Sequence, residues 1–97
     1  MKLTWSDTAV NQLEVIANSL YQKNPGSAAK FVDSIMNRIS NLRLFPEIGR
    51  IVPEINDRKL REIIYKRYRV VYRLTDKIEI VYIQHSAKSL DDTKFDG

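Results

Sequence analysis

Nine of the chain's sixteen lysines and arginines crowd into residues 50–77, namely Arg50, Arg58, Lys59, Arg61, Lys66, Arg67, Arg69, Arg73 and Lys77, against Glu54, Asp57, Glu62 and Asp76. Residues 1–49 set five basic side chains against four acidic ones, and residues 78–97 set two against four. Cations gathered in this way attract a polyanion or an acidic protein partner. A well-solvated sheet face would carry the same charges, so charge by itself leaves both readings open. The rest of the reactive inventory is narrow. With no cysteine, thiolate nucleophiles, disulfides and thiolate metal sites are excluded, and the single histidine, His85, excludes a histidine-rich metal site. Neither a metal nor a cofactor is expected.

The elements that must position these groups follow from hydrophobic spacing. Residues 2–5 alternate weakly and end at Ser6-Asp7, a short strand leading into a helix N-cap. Val10, Leu13, Ile16, Ala17 and Leu20 then recur at helical spacing until Lys23-Asn24-Pro25-Gly26 stops the helix. Asn24 can cap a second helix and Pro25 suits its first position, where no amide hydrogen is needed. Ala28, Phe31, Val32, Ile35, Met36, Ile39 and Leu42 give that helix the stronger apolar stripe. Residues 46–59, with two prolines and a glycine, read as a loop. Beyond it the period changes to two. Leu60–Tyr65, Tyr68–Leu74 and Ile78–His85 form an antiparallel meander of three strands.

The expected fold class is therefore α+β, a helical hairpin packed on a small, mainly antiparallel twisted sheet in the order β-α-α-β-β-β. At 97 residues, 43% apolar and 29% charged, the chain is one globular domain over residues 1–97, with 86–97 a polar tail expected to fray. Pairing Tyr65 with Tyr68 and Leu74 with Ile78 places Ile63, Tyr65, Tyr68, Val70, Tyr72, Leu74, Ile78, Ile80 and Tyr82 on the face that takes the helices. Glu62, Ile64, Arg69, Val71, Arg73, Glu79, Val81, Ile83 and His85 then share the other face. Arg73 opposes Glu79 in this register, and Arg69 and His85 become diagonal neighbours. The N-terminus lacks the apolar stretch of a signal peptide, and no segment approaches the roughly 20 apolar residues of a membrane span, so no membrane partner and a cytoplasmic location are expected.

The stretch from Phe45 to Lys88 has a recognisable order. Pro46-Glu47-Ile48-Gly49-Arg50 runs through Ile51 into Val52-Pro53-Glu54. Leu60-Arg61-Glu62-Ile63, Tyr68-Arg69-Val70-Val71-Tyr72-Arg73 and Ile83-Gln84-His85-Ser86-Ala87-Lys88 follow. This order resembles the RelE/ParE toxin superfamily, its ParE-like branch in particular. Ser6, Ala9 and Leu13 in the first helix, and Asn24-Pro25, Ala29 and Phe31 opening the second, extend the resemblance over about residues 3–88.

The resemblance implies the toxin of a type II toxin–antitoxin system, held inactive by a cognate antitoxin encoded in the same operon. ParE-like members poison DNA gyrase, whereas RelE-like members cut messenger RNA on the ribosome. A catalytically silent RNA-binding or interaction module of the same fold is the third alternative. For a nuclease, Arg69 matches a catalytic arginine, Glu54 a loop glutamate acting as base, and His85 lies near a C-terminal histidine. The tyrosine that should follow that histidine is replaced by Ser86, which leaves the set of roles incomplete. Each residue also has a structural reading. Arg69 could bridge to Glu62 or the loop, Glu54 could hold Arg50 or Arg61, and His85 could bond a backbone carbonyl. Tyr65, Tyr68, Tyr72 and Tyr82 could stack on bases, although tyrosine alternation in a meander more often means core. Gyrase poisoning needs no catalytic set, and Arg50, Arg61, Arg67, Arg73 and Lys88 are the candidate contacts to target or nucleic acid. Val10, Val15 and Leu20 on the first helix are the candidate antitoxin anchors.

Overall fold

The computed structural model describes residues 1–90, in the order β1 (Leu3–Trp5), α1 (Asp7–Lys23), α2 (Pro25–Asn41), β2 (Arg50–Ile51), β3 (Leu60–Tyr65), β4 (Tyr68–Leu74) and β5 (Ile78–His85). The sheet runs β1-β5-β4-β3-β2, with β1 parallel to β5 and the other pairs antiparallel. This is the expected α+β architecture, with two strand features that periodicity did not disclose. Inside the expected loop, Arg50 and Ile51 pair with Glu62 and Arg61 as a two-residue edge strand. At the far edge β1 pairs with the start of β5.

Both helices begin where their caps predicted. The Ser6 hydroxyl accepts from the Ala9 amide at 3.0 Å and donates to the Val81 carbonyl at 2.9 Å, so one side chain caps α1 and ties it to β5. Asn24 Oδ1 accepts from the Ser27 amide at 3.2 Å, with Pro25 at the first turn of α2. The α2 stripe Phe31, Ile35, Ile39 and Leu42, with Ala9 of α1, closes over Tyr65, Val70, Tyr72, Ile78, Ile80 and Ile83. Enclosing each such large side chain contributes about 1.5–3 kcal/mol. Trp5 packs half-buried against this core.

Both turn registers hold: Tyr65 opposes Tyr68, Leu74 opposes Ile78, and Arg73 opposes Glu79. Between them, however, Tyr72 pairs with Ile80 and Val71 with Tyr82, which leaves Val81 as an extra residue in β5. A bulge of this kind reverses which side chains face which way beyond it. Ile83 therefore joins the helix-facing core and His85 packs against Tyr68, while Tyr82 turns to the opposite face beside Val71. This corrects the expected neighbourhood of Arg69 and His85. Arg69 opposes Gln84, and His85 stands on the other face of the sheet.

The tail expectation is corrected for its first five residues. Lys88 donates its amide to the His85 carbonyl at 3.0 Å, and Leu90 is buried against Val52, Leu60 and Val71 on the sheet face away from the helices. The remainder of the expected tail, 91–97, lies outside the described residues.

Candidate functional site

Glu62 on β3 and Arg69 on β4 share the sheet face turned away from the helices, because Glu62 pairs with Val71 two positions along from Arg69. Glu54 reaches them from the turn after β2, where the Ile55 and Asn56 amides both donate to the Val52 carbonyl and Asn56 takes a φ of 57°. Arg69 Nη1 donates to Glu54 Oε2 at 2.7 Å, and Nη2 donates to Glu54 Oε1 at 3.2 Å and to Glu62 Oε1 at 2.9 Å. The second Glu62 oxygen faces Arg50 Nη2 at 3.5 Å. Arg69 and Glu62 are 4% and 1% exposed, so the centre of the network is enclosed while Glu54 and Arg50 reach it from the surface, and its two arginines balance its two glutamates.

Glu54 does more than pair with Arg69. Its Oε2 also accepts from the Leu90 amide at 3.1 Å, so one carboxylate joins the loop, the central strand and the segment after β5. The hydrogen bonds from Arg69 hold the Glu54 carboxyl down at about 2 despite the opposing cost of burial, and they raise the pKa of the guanidinium in return.

A second polar hub lies under the loop before β2. The buried Tyr72 hydroxyl donates to the Pro46 carbonyl at 2.6 Å and accepts from the Gly49 amide at 3.0 Å. Burial pushes the phenol pKa up, which keeps it a donor. Arg61 adds hydrogen bonds to the Glu47 and Gly49 carbonyls at 3.4 and 3.1 Å. A Cβ at position 49 would lie 2.6 Å from the Tyr72 hydroxyl and 2.8 Å from the Glu62 carbonyl, so glycine is required there for space.

A groove of about 580 Å³ separates α1 from the end of β5, with Gln12, Val15 and Ile16 on one wall and Ile83, Gln84 and His85 on the other. Gln12 Oε1 accepts from the Ile83 amide at 2.7 Å, satisfying a strand edge that β1 does not reach. The Gln84 Nε2 is buried with no hydrogen-bond partner among the described residues. No helix is long and apolar enough to cross a membrane, and no group of three or more carboxylate and imidazole side chains among the described residues could hold a metal.

A family model described as the ParE toxin of the type II toxin-antitoxin system parDE matches residues 3–90. The chain belongs to the ParE toxin family. No curated protein is a detectable relative by sequence. Among solved structures, a chain from the chromosomal ParDE toxin–antitoxin system of P. aeruginosa is similar in fold, with a TM-score of 0.74 over 88% of this chain and 95% of that one at 21% identity. Family membership makes this chain the toxin component of a type II toxin–antitoxin pair, with an antitoxin as its partner.

In this ParE-family toxin the residues marked out from sequence divide into groups. Arg69 and Glu54 meet, together with Glu62; the partner of Glu54 is Arg69, not Arg50 or Arg61. His85 does not join them, and its Nδ1 accepts from the Ala87 amide at 3.1 Å instead of bonding a carbonyl. Of the candidate target contacts, Arg50 leans on Glu62, Arg61 on the loop carbonyls, and Arg73 on Glu79 at 3.9 Å. Arg67 and Lys88 are exposed at the same end of the sheet, where the Ser86 amide donates to the Arg67 carbonyl. On α1, Val15 is exposed and lines the groove, Val10 is exposed outside it, and Leu20 packs against the core. The sequence reading missed the Tyr72–Gly49 hub and the buried Leu90. The tight Pro-x-x-Gly spacing was the one signal for the former, and a lone leucine in a polar tail for the latter.

Proposed function

We propose that this ParE-family toxin arrests growth by binding and inhibiting DNA gyrase in the cytoplasm, with no cleavage of RNA by its own side chains. The observation that carries this reading is the engagement of Arg69. Arg69 is buried, and three of its N–H groups are spent on Glu54 and Glu62 within a charge-balanced network. A cation that stabilises a phosphorane must instead point at the place where charge develops. Glu54, ionised down to about 2, is a poor proton acceptor at neutral pH, and His85 lies on the other face of the sheet. Binding, in contrast, asks only for surface, and the antitoxin would neutralise the toxin by laying apolar anchors into the groove beside Val15.

The purified toxin should block supercoiling by gyrase and accumulate cleaved DNA, while message on translating ribosomes stays intact. Cut message with gyrase unaffected would overturn the reading.

A further inference from the structure

Between α2 and β2 the chain exposes three large apolar side chains on one turn: Leu44, Phe45 and Ile48 are 75%, 59% and 66% exposed. Ile48 shares a hollow with Ile64 of β3, itself 42% exposed, so the patch continues onto the sheet. Loops with apolar residues ordinarily turn them inward. Here the backbone is held from below by Tyr72, which bonds the Pro46 carbonyl and the Gly49 amide, and by Arg61, which bonds the Glu47 and Gly49 carbonyls. The polar groups of the turn are thereby satisfied on its inner side, and its apolar side chains are left facing water. A clustered apolar surface on such a fixed support marks an interaction site.

We propose that Leu44, Phe45 and Ile48 form the knob with which the toxin grips its target, entering an apolar pocket with a carboxylate rim on a folded partner protein. This rests on the reading that the toxin acts by binding. Charge selects the partner. Arg38 and Arg50 line the same hollow, and Arg43 is exposed beside the knob. Against them stands the exposed Glu47, while Glu62 is buried and already paired. A second copy docked through this patch by a two-fold axis would set arginines against arginines, which disfavours self-association. Shape selects between the remaining partners. An extended antitoxin segment needs a long groove, and the larger hollow, about 580 Å³ against about 390 Å³ here, lies beside α1; the exposed Leu44, Phe45 and Ile48 side chains fit a preformed pocket on a folded partner.

The test compares the wild-type toxin with Phe45→Ser/Ile48→Ser and with Arg43→Glu. Each is induced in cells for viable counts and purified for melting and for titration with the antitoxin encoded beside the gene. The double variant should melt as wild type, bind the antitoxin within about twofold, and lose growth arrest by about tenfold or more, the loss typical of central interface anchors. Arg43→Glu, which removes no packing, should weaken arrest in the same direction and covers the case in which the double variant fails to fold. Undiminished arrest in either folded variant, or antitoxin binding that falls in parallel, would overturn the knob. A wild-type toxin that leaves purified gyrase active would overturn the target named above, and the knob would then stand or fall by viable counts.

Discussion

Arg69 and Glu54 lie fifteen positions apart in the chain and are joined by two hydrogen bonds, of 2.7 and 3.2 Å. With Glu62 fully enclosed behind them, this pairing makes Arg69 a structural cation, and its removal should be felt first in folding. Arg69→Ala would leave the buried Glu62 carboxylate without its nearest partner and release both Glu54 and Leu90. Breaking a buried pair in this way costs about 3–5 kcal/mol. Urea unfolding of the variant should show a loss of that order. A loss under about 1 kcal/mol, the scale of an exposed pair, would remove the structural role.

Acid should undo the same network. The Glu54 carboxyl falls from 4.5 to about 2 in the folded chain because Arg69 hydrogen-bonds its charged form. A folded pKa below the unfolded one contributes stability that is fully present above the unfolded value and is lost as pH falls towards the folded one. The urea midpoint should therefore drop between about pH 5 and pH 2. In Glu54→Gln, which cannot titrate there, the drop should be shallower, and equal slopes in the two proteins would contradict the assignment.

Tyr72 and Gly49 should behave as a coupled pair. Tyr72→Phe leaves the Gly49 amide and the Pro46 carbonyl without a partner at a buried site, a cost of about 1–3 kcal/mol. Gly49→Ala drives a methyl to 2.6 Å from that hydroxyl and should also destabilise. Removing the hydroxyl relieves part of the clash, so Gly49→Ala should cost less in the Tyr72→Phe background than in wild type. The Glu62 carbonyl and the ring carbon Cε1, which phenylalanine keeps, both at 2.8 Å, leave the relief incomplete. Strict additivity in a double-mutant cycle would show that the two residues do not meet.

Much of this architecture was legible in the sequence because it is local. Caps at Ser6 and Asn24, the α2 stripe apart from the 40% exposed Met36, and the two hairpin turns are set by neighbours within a few residues, and each holds. The bulge at Val81 was not legible. Ile80, Val81, Tyr82 and Ile83 are all acceptable on either face of a sheet, so alternation gives no sign of the extra residue. The tie from Ser6 to the Val81 carbonyl that accompanies it spans 75 positions. That single unread residue carried the expected place of His85 to the wrong face. The pairing of Arg69 with Glu62 was visible as a diagonal on one face. Its third member came from a loop whose path follows from Tyr72 below it and from the two-residue strand β2, which is too short for any period to show. The polar tail hid Leu90 for a similar reason: one leucine has no periodicity.

The three α1 residues proposed as antitoxin anchors should separate on mutation, because the fold uses them differently. Val15 is 68% exposed on the wall of the groove, so Val15→Lys should leave stability within about 0.5 kcal/mol of wild type. It places an ammonium where an apolar anchor would seat, beside His85 and Lys88, and should weaken antitoxin binding about tenfold or more by raising the off-rate. Leu20 packs half-buried against the core, so Leu20→Ala should instead cost about 2 kcal/mol of folding stability, at the lower end for a leucine truncation, and leave the affinity of the folded toxin unchanged. Val10→Lys, exposed but outside the groove, should change neither. Titration calorimetry with the cognate antitoxin, alongside urea unfolding, distinguishes the three. If Val15→Lys bound as tightly as wild type, the antitoxin would have to be seated on some surface other than this groove.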